Sequence, residues 1–393
     1  MSEWKKVKLG DICERVTSGG TPKANVTSYY TPPTIPWLKT KEVNYCRITE
    51  TENYISEEGL NNSSAKLIAP NSVIIAMYGQ GDTAGRVAIN KIPLTTNQAC
   101  CNLTIDESKA DYEFIYYQLC TLYNKMVSLK AGAAQPNLNA QIIKDLEVIL
   151  PSLSNQHRIA TILSRYDSLI ENYQKQIILL EEAAQRLYKE WFVDLRFPGH
   201  ENTKIVDGVP EGWDKKKLVD MVNVQYGYAF DGKLFNSNGE GVPILRIRNI
   251  PDGITSDYTT EEASENYIVH NGDIVVGMDG IFHINSWSGD DAYLVQRACS
   301  FRPKEERVKG FIFQAIQEPI KFFEQTLVGA TVAHLGKKHI DSIELCVPKN
   351  FELYQPFSKF YNQRQRLLSQ IRLLTEARDR LLPKLMSREI EVS

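Results

Sequence analysis

The residues best suited to chemistry in this sequence are two pairs of cationic side chains that recur at corresponding places. Lys39 and Lys41 lie two residues apart in a segment predicted to be a β-strand, so both side chains should point to one face. Arg246 and Arg248 are their counterparts, 207 residues later. An arginine can donate two hydrogen bonds to guanine O6 and N7, and either residue type can hold a phosphate. A solvated strand edge is the alternative explanation for each pair.

Further candidates lie in loops that follow matched apolar strands. The loops at 78–82 and 279–283 differ although the strands before them agree, as two readers of different targets would require; ordinary loop drift is the alternative. Gln98 and Arg297 occupy matched positions, and glutamine suits adenine while arginine suits guanine, unless these side chains only satisfy backbone groups. The full candidate set for nucleic-acid contact is Lys39, Lys41, Tyr78, Gln80, Gln98, Arg246, Arg248, Asp279, His283, Arg297, His334, Lys337 and Lys338.

The sequence contains no catalytic or metal-binding constellation that stands above chance. It has no phosphate-binding loop of the form G-x-x-x-x-G-K-[ST] and no H-E-x-x-H spacing. The Asn/Asp-Pro-Pro-Tyr/Phe signature of amino-methyltransferases is also missing, because threonine stands on both sides of Pro32-Pro33. Seven cysteines show no C-x-x-C spacing and are predicted to be buried thiols. We therefore expect no catalytic residue, no metal site and no cofactor held by this chain.

The overall charge gives no sign of nucleic-acid binding. The formal net charge is −3, residues 1–150 hold 15 basic and 15 acidic side chains, and residues 213–348 hold 14 basic and 19 acidic. A phosphate-binding domain is usually basic, so any basic face must be local or a partner must supply charge. There is no run of eighteen apolar residues and no signal peptide, which predicts a cytoplasmic protein without membrane contact.

The elements that must position these residues are duplicated. The segment at 4–11 matches that at 213–220, the strand at 72–79 matches 273–280, and the run at 132–151 matches 329–348. The amphipathic stretch at 177–192 matches 371–386. The repeat is too long for a solenoid, so it indicates a domain duplication.

Each repeat combines a globular part with one long helix. Short β-branched runs, short helical stretches and Gly- or Pro-rich loops predict mixed α/β domains at 1–150 and 213–348. Long helices are predicted at 151–193 and 349–393, with a linker at 194–212 between the repeats. The predicted fold class is α+β: two homologous target-binding domains separated by two long antiparallel, coiled-coil-like helices in a pseudo-twofold arrangement.

Apolar residues spaced three and four apart predict a helix-to-helix seam. Packing of each helix on its own domain is the alternative. The predicted interface residues are Ile162, Tyr166, Leu169, Leu180, Leu187, Trp191, Leu367, Ile371, Leu374 and Leu381.

The region at 132–199, with its EWFVDLRFPG ending, closely resembles the central region of type I restriction-modification specificity subunits. SGGTP at 18–22, IPWLK at 35–39 and RLLPKLMSREI at 380–390 resemble the opening of their target-recognition domains and their C-terminal ending. One departure is PSLSNQ at 151–156, where the family often has a Pro-Pro-Leu-x-Glu-Gln pattern.

The resemblance implies a non-catalytic DNA-specificity subunit. Such a subunit binds double-stranded DNA with a split asymmetric target, one half per domain. It joins two modification subunits, which bind S-adenosylmethionine and methylate adenine N6, and allows restriction subunits to assemble, which bring ATP and Mg²⁺. An assembly scaffold whose recognition domains no longer read DNA is the alternative. A standalone methyltransferase is disfavoured by the missing motif.

Overall fold

Short buried strands and long amphipathic helices, as the sequence pattern predicts, make up this computed structural model, which describes residues 4–131, 137–326 and 333–392. The first residues of the matched runs at 132 and 329 lie outside the described part. The chain divides into two compact units: unit 1 is Met1–Ser168 with Glu376–Ser393, and unit 2 is Leu169–Thr375. Because this division passes through both long helices, the domain boundaries drawn from the sequence stay predictions.

Unit 1 is built on a five-stranded sheet whose middle strands are buried on both faces. Val73–Ala76 is fully buried and pairs antiparallel with both of its neighbours, which is why it reads as a continuous apolar run. In spatial order the five strands are Cys13–Ser18, Cys100–Ile105, Val73–Ala76, Val87–Asn90 and Cys46–Ile48. A three-stranded sheet is formed by Tyr54–Ile55, Ile35–Leu38 and Thr95–Thr96, and a two-stranded one by Lys5–Lys8 and Glu147–Leu150.

Unit 2 repeats this framework. In spatial order, its four-stranded sheet contains Val222–Tyr226, Ala298–Pro303, Ile274–Gly277 and Ile284–Ser286. The second sheet contains Phe235–Asn236, Tyr258–Thr259, Val242–Leu245, Ala292–Leu294 and Ile268–Val269. Two strand pairs complete the unit, Trp213–Lys217 with Glu344–Pro348 and Ile205–Val206 with Val209–Pro210.

Short helices cover the sheets, and several of those in unit 1 begin at polar side-chain caps. The side chain of Asp111 accepts a hydrogen bond from Phe114 N at 2.8 Å, and Asn139 accepts one from Ile142 N at 2.9 Å. The short helices of unit 1 are Glu57–Asn61, Tyr112–Thr121, Tyr123–Ala131 and Ala140–Lys144. Those of unit 2 are Leu218–Met221, Lys309–Ala315, Gln317–Thr326 and Lys337–Asp341.

The first long helix spans Leu153–Tyr188 and continues as a π-helical turn at Lys189–Val193. The second spans Gln355–Met386, after a 3₁₀ turn at Phe351–Tyr354. Each unit contains a segment of both helices. In unit 2, Glu181 of the first helix pairs with Arg364 of the second. Tyr188, seven residues after Glu181, packs at a ring distance of 6.2 Å from Phe357, which lies seven residues before Arg364. The two segments therefore run antiparallel, as the sequence predicts.

The buried line along the first long helix differs from the predicted seam. Leu169 is 45% exposed, and the neighbouring Ile170 is buried instead. The buried face of the helix contains Leu163, Asp167 and Ile170. It therefore includes a carboxylate, which a prediction based on apolar residues alone omits. Of the other predicted residues, Leu367 is buried, and those partly covered are Ile162, Tyr166, Leu180, Leu187, Trp191, Ile371, Leu374 and Leu381.

The ends of the helices complete the core of the unit into which they run. In unit 1, Leu385 is buried in the cluster that contains Leu163 and Phe114. In unit 2, the ring of Phe192 packs at a tilt against those of Trp213 and Phe311, at centroid distances of 5.2 and 4.8 Å. The helix that begins in one repeat thus supplies core residues to the unit that holds the other repeat's strands.

Candidate nucleic-acid interface

The cationic pair of unit 1 lies in a tight turn and not along a strand. The strand ends at Leu38, and Lys39 caps a single 3₁₀ turn, Thr40–Glu42. The backbone N–H of Lys39 donates to Glu42 Oε1 at 3.0 Å, and its ammonium donates to Asn53 Oδ1 at 2.9 Å. The prediction that Lys39 and Lys41 share one face of a strand is therefore wrong, because the glutamate hydrogen bond ends the extended backbone.

Unit 2 builds the same turn with different side chains. Arg246 caps the 3₁₀ turn Ile247–Asn249, and its backbone N–H donates to Asn249 Oδ1 at 2.9 Å. The strand expectation is thus also wrong for Arg246 and Arg248. The correspondence of the two pairs is confirmed by the equivalent strand, turn and capping hydrogen bond.

The second cation of each turn is exposed and has an acidic partner. Lys41 pairs with Glu52, whose hydrogen bond and charge raise the pKa of the lysine above its usual value. Arg248 donates from Nε and Nη2 to the two oxygens of Asp257, at 3.1 and 2.5 Å. This fork fixes the arginine side chain and leaves Nη1 directed away from the carboxylate, so the group can still donate to an incoming acceptor.

In unit 2 the structure brings together three predicted residues that are far apart in sequence. The carboxylate of Asp279 lies 2.5 Å from His334 Nδ1 and 3.3 Å from Arg297 Nε. Backbone pairing supports this cluster, because Asp279 and His334 form a β-bridge and Met278 N donates to Arg297 O. Asp279 thus hydrogen-bonds the exposed His334 and forms an ion pair with the exposed Arg297.

The matching of Gln98 with Arg297 is wrong by one residue. Met77 N donates to Ala99 O in unit 1, and the corresponding Met278 N donates to Arg297 O in unit 2. Strand register agrees, since Ala76 pairs with Cys100 and Gly277 with Ala298. Arg297 therefore corresponds to Ala99. The sequence comparison aligns Ala99 with Ala298, and the strand pairing shifts that alignment by one residue.

The remaining candidates are placed separately. The Gln98 side chain is exposed and hydrogen-bonds Thr21, and Gln80 is exposed in its loop. Tyr78 packs partly against the core of unit 1, so only part of its ring can reach a ligand. His283 is half-buried and its carbonyl accepts from Gly277 N. Lys337 and Lys338 are exposed at the start of a short helix.

Two buried ionic networks, which the apolar pattern did not reveal, anchor the helices. In unit 1, Asp167 accepts from Arg378 at 2.7 Å and from Tyr117 at 2.5 Å, and Arg47 lies 3.9 Å away. Burial opposes the charge of Arg378, but the hydrogen bond and charge of Asp167 outweigh it and hold the arginine pKa above its usual value. The signal in the sequence was a charged residue at a core-facing helical position.

In unit 2, Arg364 occupies the equivalent position in the network. It donates to Glu181 and Ser286 at 2.5 Å each and to Asn285 at 2.7 Å. The two polar acceptors belong to the strand Ile284–Ser286 and its edge. The arginine thus connects both long helices of unit 2 to the sheet that carries the candidate loops.

Within the described residues, no group of three or more His, Cys, Asp or Glu side chains is arranged to hold a metal ion. No helix among those residues is long and apolar enough to cross a membrane. Burial raises the pKa of Cys101 to about 12 and that of Cys299 well above its usual value. These thiols are packing groups and not nucleophiles.

Comparison with known proteins places this duplicated framework in a family. The family model described as type I restriction modification DNA specificity domain matches residues 1–182 and 210–374. The type I restriction enzyme MjaIX specificity subunit of Methanocaldococcus jannaschii is 28% identical, over 99% of this chain and 94% of its own length. The HindI specificity subunit of Haemophilus influenzae is 22% identical, over 99% of this chain and 100% of its own.

A solved structure shares the fold. The crystal structure of a type I restriction-modification S subunit from M. genitalium covers 98% of this chain and 96% of its own, with a TM-score of 0.60 and 16% sequence identity. The family model covers most of both repeats, in keeping with the two repeated units seen here. The chain therefore belongs to the type I restriction-modification DNA specificity family, as a non-catalytic specificity subunit with two recognition domains.

Proposed function

We propose that each unit reads one half of a split asymmetric DNA target. The observation that carries the proposal is the repeated cationic turn, in which the same backbone presents Lys41 in unit 1 and Arg248 in unit 2. Equivalent frameworks bearing different side chains are what two readers of unlike half-sites require. The candidate loops also differ, with Asp279 and Arg297 in unit 2 where unit 1 has Tyr78 and Ala99.

The chain acts inside a larger complex in this proposal. Two modification subunits bring S-adenosylmethionine and methylate adenine N6, and restriction subunits bring ATP and Mg²⁺, so this chain itself holds none of the three. The names of the relatives support this assignment, since they are specificity subunits of type I restriction enzymes. Partner subunits would also supply phosphate contacts, which answers the objection of a net charge of −3. We place the complex in the cytoplasm, together with its DNA.

The test is a hybrid subunit. The strands and loops of unit 2 within residues 213–348 are replaced by those of a relative, while Phe192, Phe197 and both long helices are kept because they complete the core. Adenine methylation is then mapped in cells that carry the modification partner. One half-site should change and the other should persist, and a change in both would contradict the two-reader assignment.

A second experiment separates reading from scaffolding. The complex of this chain with its modification subunits is tested for binding to the target sequence identified by methylation mapping, in the presence of excess genomic DNA. Selective retention of the target supports reading. Assembly with equal affinity for all sequences would instead support a scaffold whose recognition domains are degenerate. The purified chain alone, supplied with S-adenosylmethionine, ATP and magnesium, should leave DNA unmodified.

A further inference from the structure

The cluster of Asp279, Arg297 and His334 on unit 2 has a feature that a simple surface ion pair lacks. Asp279 is only 22% exposed at its side chain, whereas Arg297 is 67% and His334 60% exposed. One carboxylate thus sits below two outward-facing donor groups. Main-chain bonds hold all three segments together, with Gly280 N donating to Ala333 O at 3.0 Å and Leu335 N to Met278 O at 2.7 Å.

Arg297 is held in an unfavourable backbone conformation. Its φ is +71°, in the left-handed region that non-glycine residues rarely adopt. The structurally equivalent residue of unit 1, Ala99, is not left-handed. The surroundings of Arg297 therefore enforce a backbone that the repeated framework does not itself need, and this conformation determines where the side chain leaves the surface.

The contact made by Asp279 selects which arginine atoms remain available. Because the contact with Asp279 Oδ2 is made by Nε, the end-on edge of the guanidinium, formed by one N–H of Nη1 and one of Nη2, faces away from the carboxylate. Two parallel N–H donors at the end of a fixed side chain match the O6 and N7 acceptors of guanine. The same carboxylate accepts from His334 Nδ1, so in the neutral imidazole the exposed Nε2 is an acceptor.

Charge favours a base edge over a phosphate as the ligand. Asp279 offsets the positive charge of Arg297 but leaves the geometry of its donor pair intact, which weakens attraction to phosphate more than hydrogen bonding to a base. Residues 213–348 also carry more acidic than basic side chains. The neighbouring Ile281 is 61% exposed, and an apolar side chain suits a thymine methyl group or a base edge better than a phosphate.

We propose that Arg297 reads a guanine in the half-site bound by unit 2, with Asp279 as the positioning residue that fixes its guanidinium. The inference rests on the proposed reading function and adds one base and one residue to it. Unit 1 lacks this contact because Ala99 has no donor in its side chain. The guanine contacted by Arg297 therefore has no equivalent contact from Ala99 in the other half-site.

The test uses the full chain in complex with its modification subunits. The complex methylates a DNA library in which each position of both half-sites is randomised in turn, and the preference at every position is read by sequencing. In Arg297→Ala the preference for guanine at one position of one half-site should fall roughly 5- to 150-fold, the range for one bidentate base contact. Preferences at all other positions should persist.

Two further variants separate a base contact from a phosphate contact or a structural role. Arg297→Lys keeps the charge but replaces the rigid planar donor pair with a rotatable ammonium, so it should retain at most part of the guanine preference. Asp279→Asn should reduce the preference at that same position, by a smaller factor, while thermal unfolding shows the unit intact. Arg307→Ala is the matched control, since Arg307 is an exposed arginine of unit 2 that is also paired with an acidic residue, Glu305.

The outcomes are distinguishable. Methylation of the unchanged target by the Arg297→Ala complex, with every base preference retained, would overturn the guanine assignment and leave the two-reader function standing. Equal weakening on all sequences with a lower salt dependence, rescued by Arg297→Lys, would assign Arg297 to a phosphate and also overturn it. Absence of any sequence preference in the wild-type complex would instead refute the proposed function.

Discussion

Arg364 and Glu181 are joined by an ion pair in unit 2, 2.5 Å from Nε to Oε1, and the pair has a counterpart in unit 1. There Asp167 pairs with Arg378 at 2.7 Å. Asp167 precedes Glu181 by 14 residues, and Arg364 precedes Arg378 by the same number, which is two heptads. The same antiparallel register therefore pairs the helical segments found in each unit. Buried charges, which are costly when mispaired, specify this register more strictly than apolar residues do.

Removing Arg364 should destabilise unit 2 strongly. Arg364→Ala takes one charge from a buried network and leaves Glu181, Ser286 and Asn285 without their donor. We expect a loss of about 3 kcal/mol in the free energy of unfolding, as for a broken buried ion pair. Urea unfolding followed by tryptophan fluorescence measures it. Arg366→Ala, at an exposed position of the same helix, should stay within about 0.5 kcal/mol; equal effects from the two variants would contradict the anchoring role.

The lengths of the two long helices should set the gap between half-sites. Gln174 is exposed and lies seven residues from both Asp167 and Glu181. Four residues inserted there, together with four inserted after Ile371, which lies seven residues from both Arg364 and Arg378, add about 6 Å to both helices and keep both ion pairs in register. Since base pairs rise about 3.4 Å, the gap should grow by about one or two base pairs while both half-site sequences persist. Mapping of methylated adenines measures the gap.

A two-residue insertion at Gln174 alone is the control for this experiment. It rotates the downstream helix by about 200°, which turns Glu181 away from its partner. Methylation should then be lost or severely reduced. An unchanged gap and full activity with the four-residue insertions would show that the helices do not set the spacing.

The charge at the turn of unit 1 should act on DNA directly. Lys41→Ala removes an exposed cation and should weaken binding by the complex, with the salt slope reduced by about one if the contact is to a phosphate. Glu52→Gln removes the carboxylate that competes with DNA for Lys41, so the complex should bind DNA more tightly. Binding titrations at several salt concentrations measure both. Lys66→Ala, at another exposed lysine of unit 1, reports the effect of losing one charge alone. Identical behaviour of the two lysine variants would show that Lys41 is a solvated side chain without a specific DNA contact.

The buried thiols should be chemically silent in the folded chain. Burial raises the pKa of Cys101 to about 12 and holds those of Cys100 and Cys299 well above the usual value. At pH 8 these groups are almost entirely protonated, and thiolate is the reactive form. Iodoacetamide labelling read by mass spectrometry should spare these three in the native protein and modify all seven cysteines after unfolding. Native labelling as fast as in denaturant would show that these strands open readily.

The sequence by itself determined the duplication, the fold class, the two long helices and the family. These features depend on local periodicity and on repeated segments, which survive without knowledge of the tertiary contacts. The matched segments predicted at 72–79 and 273–280 contain the strands Val73–Ala76 and Ile274–Gly277 for this reason. The correspondence of Lys41 with Arg248 was also available, although the assumption of a continuous strand was not correct.

Only the tertiary structure decided which distant residues meet and in what register. Asp279, Arg297 and His334 are brought together by strand and loop pairings that no local pattern encodes, and the hydrogen bonds of Met77 and Met278 moved the partner of Arg297 from Gln98 to Ala99. The apolar pattern did not identify Asp167 as part of the buried helix face, because a buried charge is stabilised by partners far away in sequence. Local sequence preferences determine the helices and strands, whereas the cost of burying polar groups without partners determines which of them pair. That cost depends on contacts that exist only in the folded chain.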